Sequence, residues 1–338
     1  MKKLYDSLEG GSVERQEKKK LTVKLIYATL ILIACLVVAL LITFTVTFIK
    51  NRAPESTDDD SDTDGTSISY VTESANTADL HSGSLILVNK TYEYIFADNP
   101  AVVPIPMGNR YGLKDGNLYA NQTALSAFNN MMDALYSNVP DAKIVVMTAY
   151  RSPEDQTKLN NGTPAGASDF HTGMSFELKD GDTWAMINAS SLNGKYDWLY
   201  KNAHKYGFIV RYPDDIAESS TGKDAGKKFS DITGVEDFAN VFRYVGIAHA
   251  SYIYQNNLCL EEYLELIKTS HDNTSPLSFK AGDGRNYDVY YFASAGDTTD
   301  VQVPSKYSYE ISGDNKGGYI VTVNKSKIIK NNETNETK

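Results

Sequence analysis

Cysteine, tryptophan and histidine are scarce in this 338-residue chain, with two, two and five copies, and positive charge is outnumbered by negative. Cys35 lies inside a long apolar run and Cys259 is alone in the rest, so no intramolecular disulfide can staple the part that follows the run. Cys259 falls in "NNLCLEEYLELI" on an apolar helical stripe, and reads there as a small buried filler rather than a nucleophile. Lys and Arg number 33 against 43 Asp and Glu, a formal charge of -10. The basic footprint that phosphate binding requires is missing, as is any nucleic-acid motif, which excludes DNA and RNA as partners. A hydrophobic content of 41% is ordinary and sufficient for one sizeable core.

Charge is absent altogether from Leu25 to Ile49. At the helical rise this run reaches ~38 Å, enough to cross a bilayer with tilt. Lys2, Lys3, Arg15, Lys18, Lys19, Lys20 and Lys24 precede it, whereas only Lys50 and Arg52 stand between it and a cluster of acids. The positive-inside bias therefore predicts a single-pass, uncleaved anchor over residues 25–49, with a basic cytoplasmic tail over 1–24 and everything beyond it outside the cell. Residues 50–80, rich in Asp, Ser and Thr and poor in large apolar side chains, are expected to form a disordered stalk.

From Ser84 the pattern becomes globular. "SLILVNK" predicts a strand, and Leu125, Phe128, Met132 and Leu135 recur at helical spacing. "AKIVVMTAYRS" predicts a buried strand with polar residues at its end, where chemistry is often placed, and Pro153 opens a helix just after it. An amphipathic helix with Trp198 and Tyr206 leads to the strand "GFIVRY", and a further strand near Val241–Val245 precedes two helices. Strands and helices mix without a regular βαβ beat, so the fold class is α+β: mixed helices with a small antiparallel sheet over 81–272. After Ser275 the texture is strand and turn, which predicts a β-rich appendage over 273–326 and a disordered tail over 327–338.

The stretches "TAYRSPEDQ", "PAGASDFHTGMSFEL", "KYGFIVRYP", "DITG" and "FRYVGIAHASYIYQNNLCLEEYLE" together resemble the VanY-like D-alanyl-D-alanine carboxypeptidases, with a zinc D,D-peptidase or hedgehog-like fold, from about Ser84 to Ile267. The resemblance implies a zinc peptidase that trims terminal D-alanine from cell-wall stem peptides. Zinc hydrolysis needs protein ligands, an open position for water and a general base. Laid over the family patterns SxHxxGxxxD and ExWHFRYVG, this chain keeps Ser168, Gly173 and Phe242–Gly246. The ligand positions, however, become Phe170, Glu177 and Val241, the base position becomes Phe238, and Asn240 replaces the tryptophan. Phenyl and isopropyl groups have no lone pair for a cation, so no metal and no catalytic residue are expected.

The pattern YRSxxxQ survives as Tyr150, Arg151, Ser152 and Gln156, and with Ser168 it implies retained substrate binding, the guanidinium engaging a peptide carboxylate. Arg151 paired internally with Glu177 is the other possibility. The resulting expectation is a catalytically inactive, membrane-anchored relative that binds peptidoglycan stem peptide or an envelope protein. One alternative is an active zinc enzyme with a shifted ligand set, His171, Glu177 and Asp237; another is an interaction scaffold built on the C-terminal appendage. His171, His204 and His249 are otherwise expected to be structural.

Overall fold

The described part of the chain begins inside the expected stalk. The computed structural model describes residues 68–97, 100–108, 110–188, 194–215, 224–236 and 238–329, and Tyr70–Asn76 is already a strand, β1, followed by a 3-10 turn over Thr77–His81. Composition misplaced this stretch because only Ala75 of the strand is buried. What orders it is backbone pairing with a segment more than two hundred residues away, from Tyr70 opposite Pro304 to Asn76 opposite Thr298. The basic tail, the apolar run over 25–49, the acidic residues up to 67, Asp237 and the tail from 330 lie outside the described residues. Among the described residues, no helix is long and apolar enough to cross a membrane.

"SLILVNK" buries Leu85–Val88 but is not the expected strand. Its backbone groups are taken by side chains and isolated bonds instead of a ladder: Leu85 N–H donates to Ser312 Oγ, and the Ser84 and Ile86 carbonyls accept from Arg243 Nη2. Beyond it, β2 (Val102–Pro104) pairs with β4 (Tyr119–Asn121), and β3 is the two-residue strand Gly112–Leu113. The first helix, α1 (Gln122–Asn138), starts where Asn121 Oδ1 accepts from the amides of Thr123 and Ala124.

After α1 come β5 (Ile144–Thr148), α2 (Pro153–Leu159), β6 (Ser175–Asp180), α3 (Asp197–Asn202), β7 (Phe208–Val210), α4 (Phe229–Thr233) and β8 (Val241–Tyr244). They build a five-stranded sheet in the order β3-β5-β6-β8-β7, parallel only at the first pair. The helical stripe Leu125, Phe128, Met132 and Leu135 packs on the sheet's Val146, Phe176, Leu178 and Phe242. Phe128 and Phe176 stack at 4.3 Å. That packing anchors the central strands whose open ends carry the site.

Helices α5 (Ile247–Asn256) and α6 (Leu260–Ser270) then lead to β9 (Leu277–Lys280), β10 (Asn286–Ala293), β11 (Thr298–Pro304), β12 (Tyr307–Gly313) and β13 (Gly318–Ile328). Four of these strands form an antiparallel sheet, β12-β13-β10-β9. The α+β class and the β-rich C-terminal region hold, but the region is no separate appendage. Its Val289, Tyr291 and Ile320 share one core with Leu87, Ile209, Ile253, Leu264 and Ile267. A sheet with one apolar face needs a partner layer, and α5 and α6 supply it.

Candidate functional site

Strand β5 ends at Thr148, and the chain turns through Tyr150 and Arg151 into α2. Ser152 accepts from the Asp155 amide at 3.1 Å, so its hydroxyl caps the helix. Gln156 is buried and clamps the loop: its Oε1 accepts from Arg151 Nη1 at 2.9 Å, while its amide nitrogen donates to Asn161 Oδ1 and the Thr163 carbonyl. Arg151 is thereby held with its guanidinium 4.6 Å over the ring of Phe170. Partial burial lowers its pKa and the Glu177 charge opposes this; an arginine remains a cation all the same.

Phe170 is carried on a 3-10 turn over Asp169–Thr172, closed by Gly173 in the left-handed region at φ 67°. A Cβ at Gly173 would lie 2.8 Å from Val102 Cγ1 and 3.0 Å from the Asn121 amide, so no other residue fits there without a shift. His171 faces inward from the same turn. Its Nδ1 bonds the Arg151 carbonyl at 2.6 Å and its Nε2 accepts from the Gly166 amide at 3.1 Å. This pattern makes Nδ1 the protonated nitrogen, and burial pushes the imidazole pKa down. Both nitrogens are engaged, so His171 has no lone pair to turn toward a metal.

The four positions that the resemblance assigns to metal ligands and base gather at this end of the sheet. Glu177 pairs with Val241 across β6 and β8, and the rings of Phe170 and Phe238 meet edge to face at 6.4 Å. Glu177 Oε2 accepts from Thr148 Oγ1 at 2.9 Å, and Arg151 Nη2 lies 3.4 Å from the same hydroxyl. Thr148 thus stands between the two charges, and among the described residues Arg151 makes no ion pair, with Glu177 or any other acid. As a test of fit to zinc, Phe170, Phe238 and Val241 present hydrocarbon at three of these four positions, the carboxylate at the fourth is bonded to Thr148, and the neighbouring His171 is spent. These residues do not fit a zinc ion, which needs convergent N, O or S donors. Asp237 lies outside the described residues, and among those described no group of three or more His, Cys, Asp or Glu side chains is placed to hold a metal.

Arg151, Gln156, Ser168, Phe170 and Phe238 line a cleft of about 460 Å³, together with Tyr212, whose ring is 6.0 Å from that of Phe238. Tyr150 and Ser152, expected in the binding site, are not in its wall. Lys90, Asp231 and Glu236 add charge to its lining.

A second group, which sequence reasoning missed, underlies the turn. Asp169 is buried between two arginines, accepting from Arg243 Nη1 at 2.6 Å and Arg211 Nε at 3.2 Å, with a short bond from Ser175. Arg211 in turn holds Glu261 of α6 with two bonds, at 2.8 and 3.0 Å. Burial opposes ionisation of Asp169, but Arg243 and Arg211 outweigh it and hold the carboxyl below its ordinary range. Two guanidiniums and two carboxylates thus form a neutral buried cluster that ties the Phe170 turn to β7, β8 and α6. The only signal in the sequence was an arginine inside each of two otherwise apolar strand patterns.

The fold defines the class first. It matches the crystal structure of the vancomycin resistance D,D-dipeptidase VanXYg in complex with a D-Ala-D-Ala phosphinate analog, with a TM-score of 0.62 over 75% of this chain and 99% of that one; at 24% identity this is a likeness of fold alone. The family model "VanY: D-alanyl-D-alanine carboxypeptidase" matches residues 117–225. A D-alanyl-D-alanine carboxypeptidase of Enterococcus faecium is 30% identical over 274 residues, covering 77% of this chain and 81% of that protein. Another of that description from Enterococcus faecalis is 42% identical over 86 residues, 24% of this chain and 27% of its own length. The chain belongs to the VanY D-alanyl-D-alanine carboxypeptidase family.

Proposed function

We propose that this chain is a membrane-anchored, exported member of its family that binds cell-wall stem peptide by its terminal carboxylate and does not hydrolyse it. One observation carries the proposal: Arg151 is aimed into the cleft by Gln156 and makes no direct ion pair among the described residues, Glu177 reaching it only through Thr148, while its face rests on Phe170 where the family pattern has a metal ligand. A fixed guanidinium without a direct carboxylate contact is suited to bidentate capture of a carboxylate. Phe170, Phe238 and Tyr212 give the adjoining wall an apolar character that favours a side chain over an attacking water. The charge asymmetry around residues 25–49 supports the anchor and the outward orientation.

The shifted set His171, Glu177 and Asp237 is disfavoured, because recruiting His171 would break bonds to Arg151 and Gly166. The test is titration calorimetry of the full-length chain in detergent with a pentapeptide ending in D-Ala-D-Ala, alongside metal analysis and an assay for released D-alanine. Saturable binding is expected, weakened roughly 10- to 100-fold by Arg151→Gln, with neither zinc nor release. One tightly held zinc per chain with chelator-sensitive release would overturn the inactivity. Absence of peptide binding would overturn the ligand and leave an envelope protein as the cleft's occupant.

A further inference from the structure

The helices cover only part of one face of the C-terminal sheet. Strand alternation places Ile320, Thr322 and Asn324 on one side of β13, with Tyr291, Val289 and Tyr287 opposite them on β10. On β12, Glu310 stands opposite Thr322 and Ser308 opposite Asn324. Ile320, Val289 and Tyr291 lie under the helices in the shared core. Further along the same strands the apolar residues give out. There the face lines a hollow of about 490 Å³, whose other wall is Tyr244 and the first turn of α5. A second hollow of about 390 Å³ shares Tyr244, His249, Glu310 and Thr322 with it, so the two form one groove.

The middle of this groove is built, not incidental. The phenol of Tyr263 is fully buried, and its partner is His249 Nδ1 at 2.6 Å. A buried hydroxyl has to place its proton on an acceptor, so Tyr263 donates to Nδ1 and His249 carries its own proton on Nε2. Nε2 lies 2.8 Å from Thr322 Oγ1 and donates to it. The Thr322 hydroxyl is therefore held as an acceptor from behind and keeps its proton to give forward, into the groove. Glu310 beside it is exposed, and no donor among the described residues bonds its carboxylate.

The wall chemistry selects the ligand class. An apolar molecule would strip water from these groups and return no hydrogen bond. Arg285 and Lys327 also line the hollow, Arg285 paired with Asp283, so Lys327 and Glu310 leave its wall close to neutral, without the basic footprint a nucleic acid needs. A peptide added as a strand would pair along the outer edge of β12, whereas this groove runs inward from that edge over Thr322 and Asn324 of β13. A molecule dense in hydroxyls, with flat C–H faces, satisfies all of it: hydroxyls donate to Glu310 and accept from Lys327, ring oxygens accept from Thr322, and a C–H face lies against half-buried Tyr244. We propose that this groove binds a neutral oligosaccharide, with Glu310 and Thr322 as its central hydrogen-bonding pair.

The site is independent of the Arg151 cleft, and the experiment keeps the two apart. Full-length chain in detergent is titrated with chitotetraose and, separately, cellotetraose, following affinity by calorimetry. Saturable binding of at least one is expected, weakened about tenfold by Glu310→Ala and by Thr322→Val and unchanged by Arg151→Gln. Glu310→Ala removes an exposed side chain, so it tests the site even if Thr322→Val disturbs the Tyr263–His249 chain behind it. No binding of either sugar at 10 mM, or binding that both variants leave unchanged, overturns the proposal.

Discussion

Replacing Asp169 by asparagine changes almost no volume and removes one negative charge from the buried cluster that supports the Phe170 turn. In the wild type, Arg243 and Arg211 are balanced by Asp169 and Glu261. In Asp169→Asn the cluster carries one uncompensated positive charge, and the amide group can no longer accept from Arg243, Arg211 and Ser175 together. Breaking a buried pair by removing one partner costs about 3–5 kcal/mol. For a domain of this size, that lowers the melting temperature by roughly 6–20 °C. The assay is thermal and urea unfolding of both proteins across pH. Because the folded Asp169 pKa lies below its unfolded value, its contribution is present at neutral pH and lost as the pH falls below about 4 toward the folded value. The asparagine variant should start less stable and lose less on acidification. A loss under about 1 kcal/mol at pH 7, with an unchanged acid limb, would refute the cluster as a support of the site.

Three further outcomes are expected. Gly173→Ala should cost about 1–3 kcal/mol in urea unfolding, since the new Cβ meets Val102 and the Asn121 amide in a left-handed backbone. Burial holds His249 down to about 3 from 6.5, so the unfolded chain takes up a proton that the folded one refuses between those values. Stability therefore falls with pH in that window, by about 2 kcal/mol at pH 5 from this group, and His249→Gln should flatten that part of the curve. Combining Phe170→His, Glu177→Asp, Phe238→Glu and Val241→His should yield one zinc per chain by metal analysis; a folded quadruple variant that takes up none would contradict the positional match to the family pattern.

Much of this site was legible because a few positions carry most of the chemistry. The hydrocarbon at Phe170 and Val241 and the intact Arg151 and Gln156 were readable as residue types, and the geometry brings Arg151, Gln156, Ser168, Phe170 and Phe238 to one cleft. A hydroxyl before a proline-led helix can be a cap or a ligand by its sequence alone, and the bond from the Asp155 amide shows that Ser152 is a cap. The open pairing of Arg151 with Glu177 depended on a third residue, Thr148, which a bulge in β5 brings opposite Glu177. Tyr212 entered the cleft without any signal of its own.

Residue chemistry and local periodicity were enough to determine the α+β class, the strands and helices with a strong apolar beat, the family resemblance and the hydrocarbon residue types at Phe170 and Val241. They could not determine what long-range pairing decides. β1 is ordered by a strand at the other end of the chain, the C-terminal sheet joins the main core through α5 and α6, and Asp169 meets Arg211, Arg243 and, through Arg211, Glu261. The physical reason is that a side chain's type is local, whereas its burial and its partner are properties of the packed chain, where residues far apart in sequence are desolvated together.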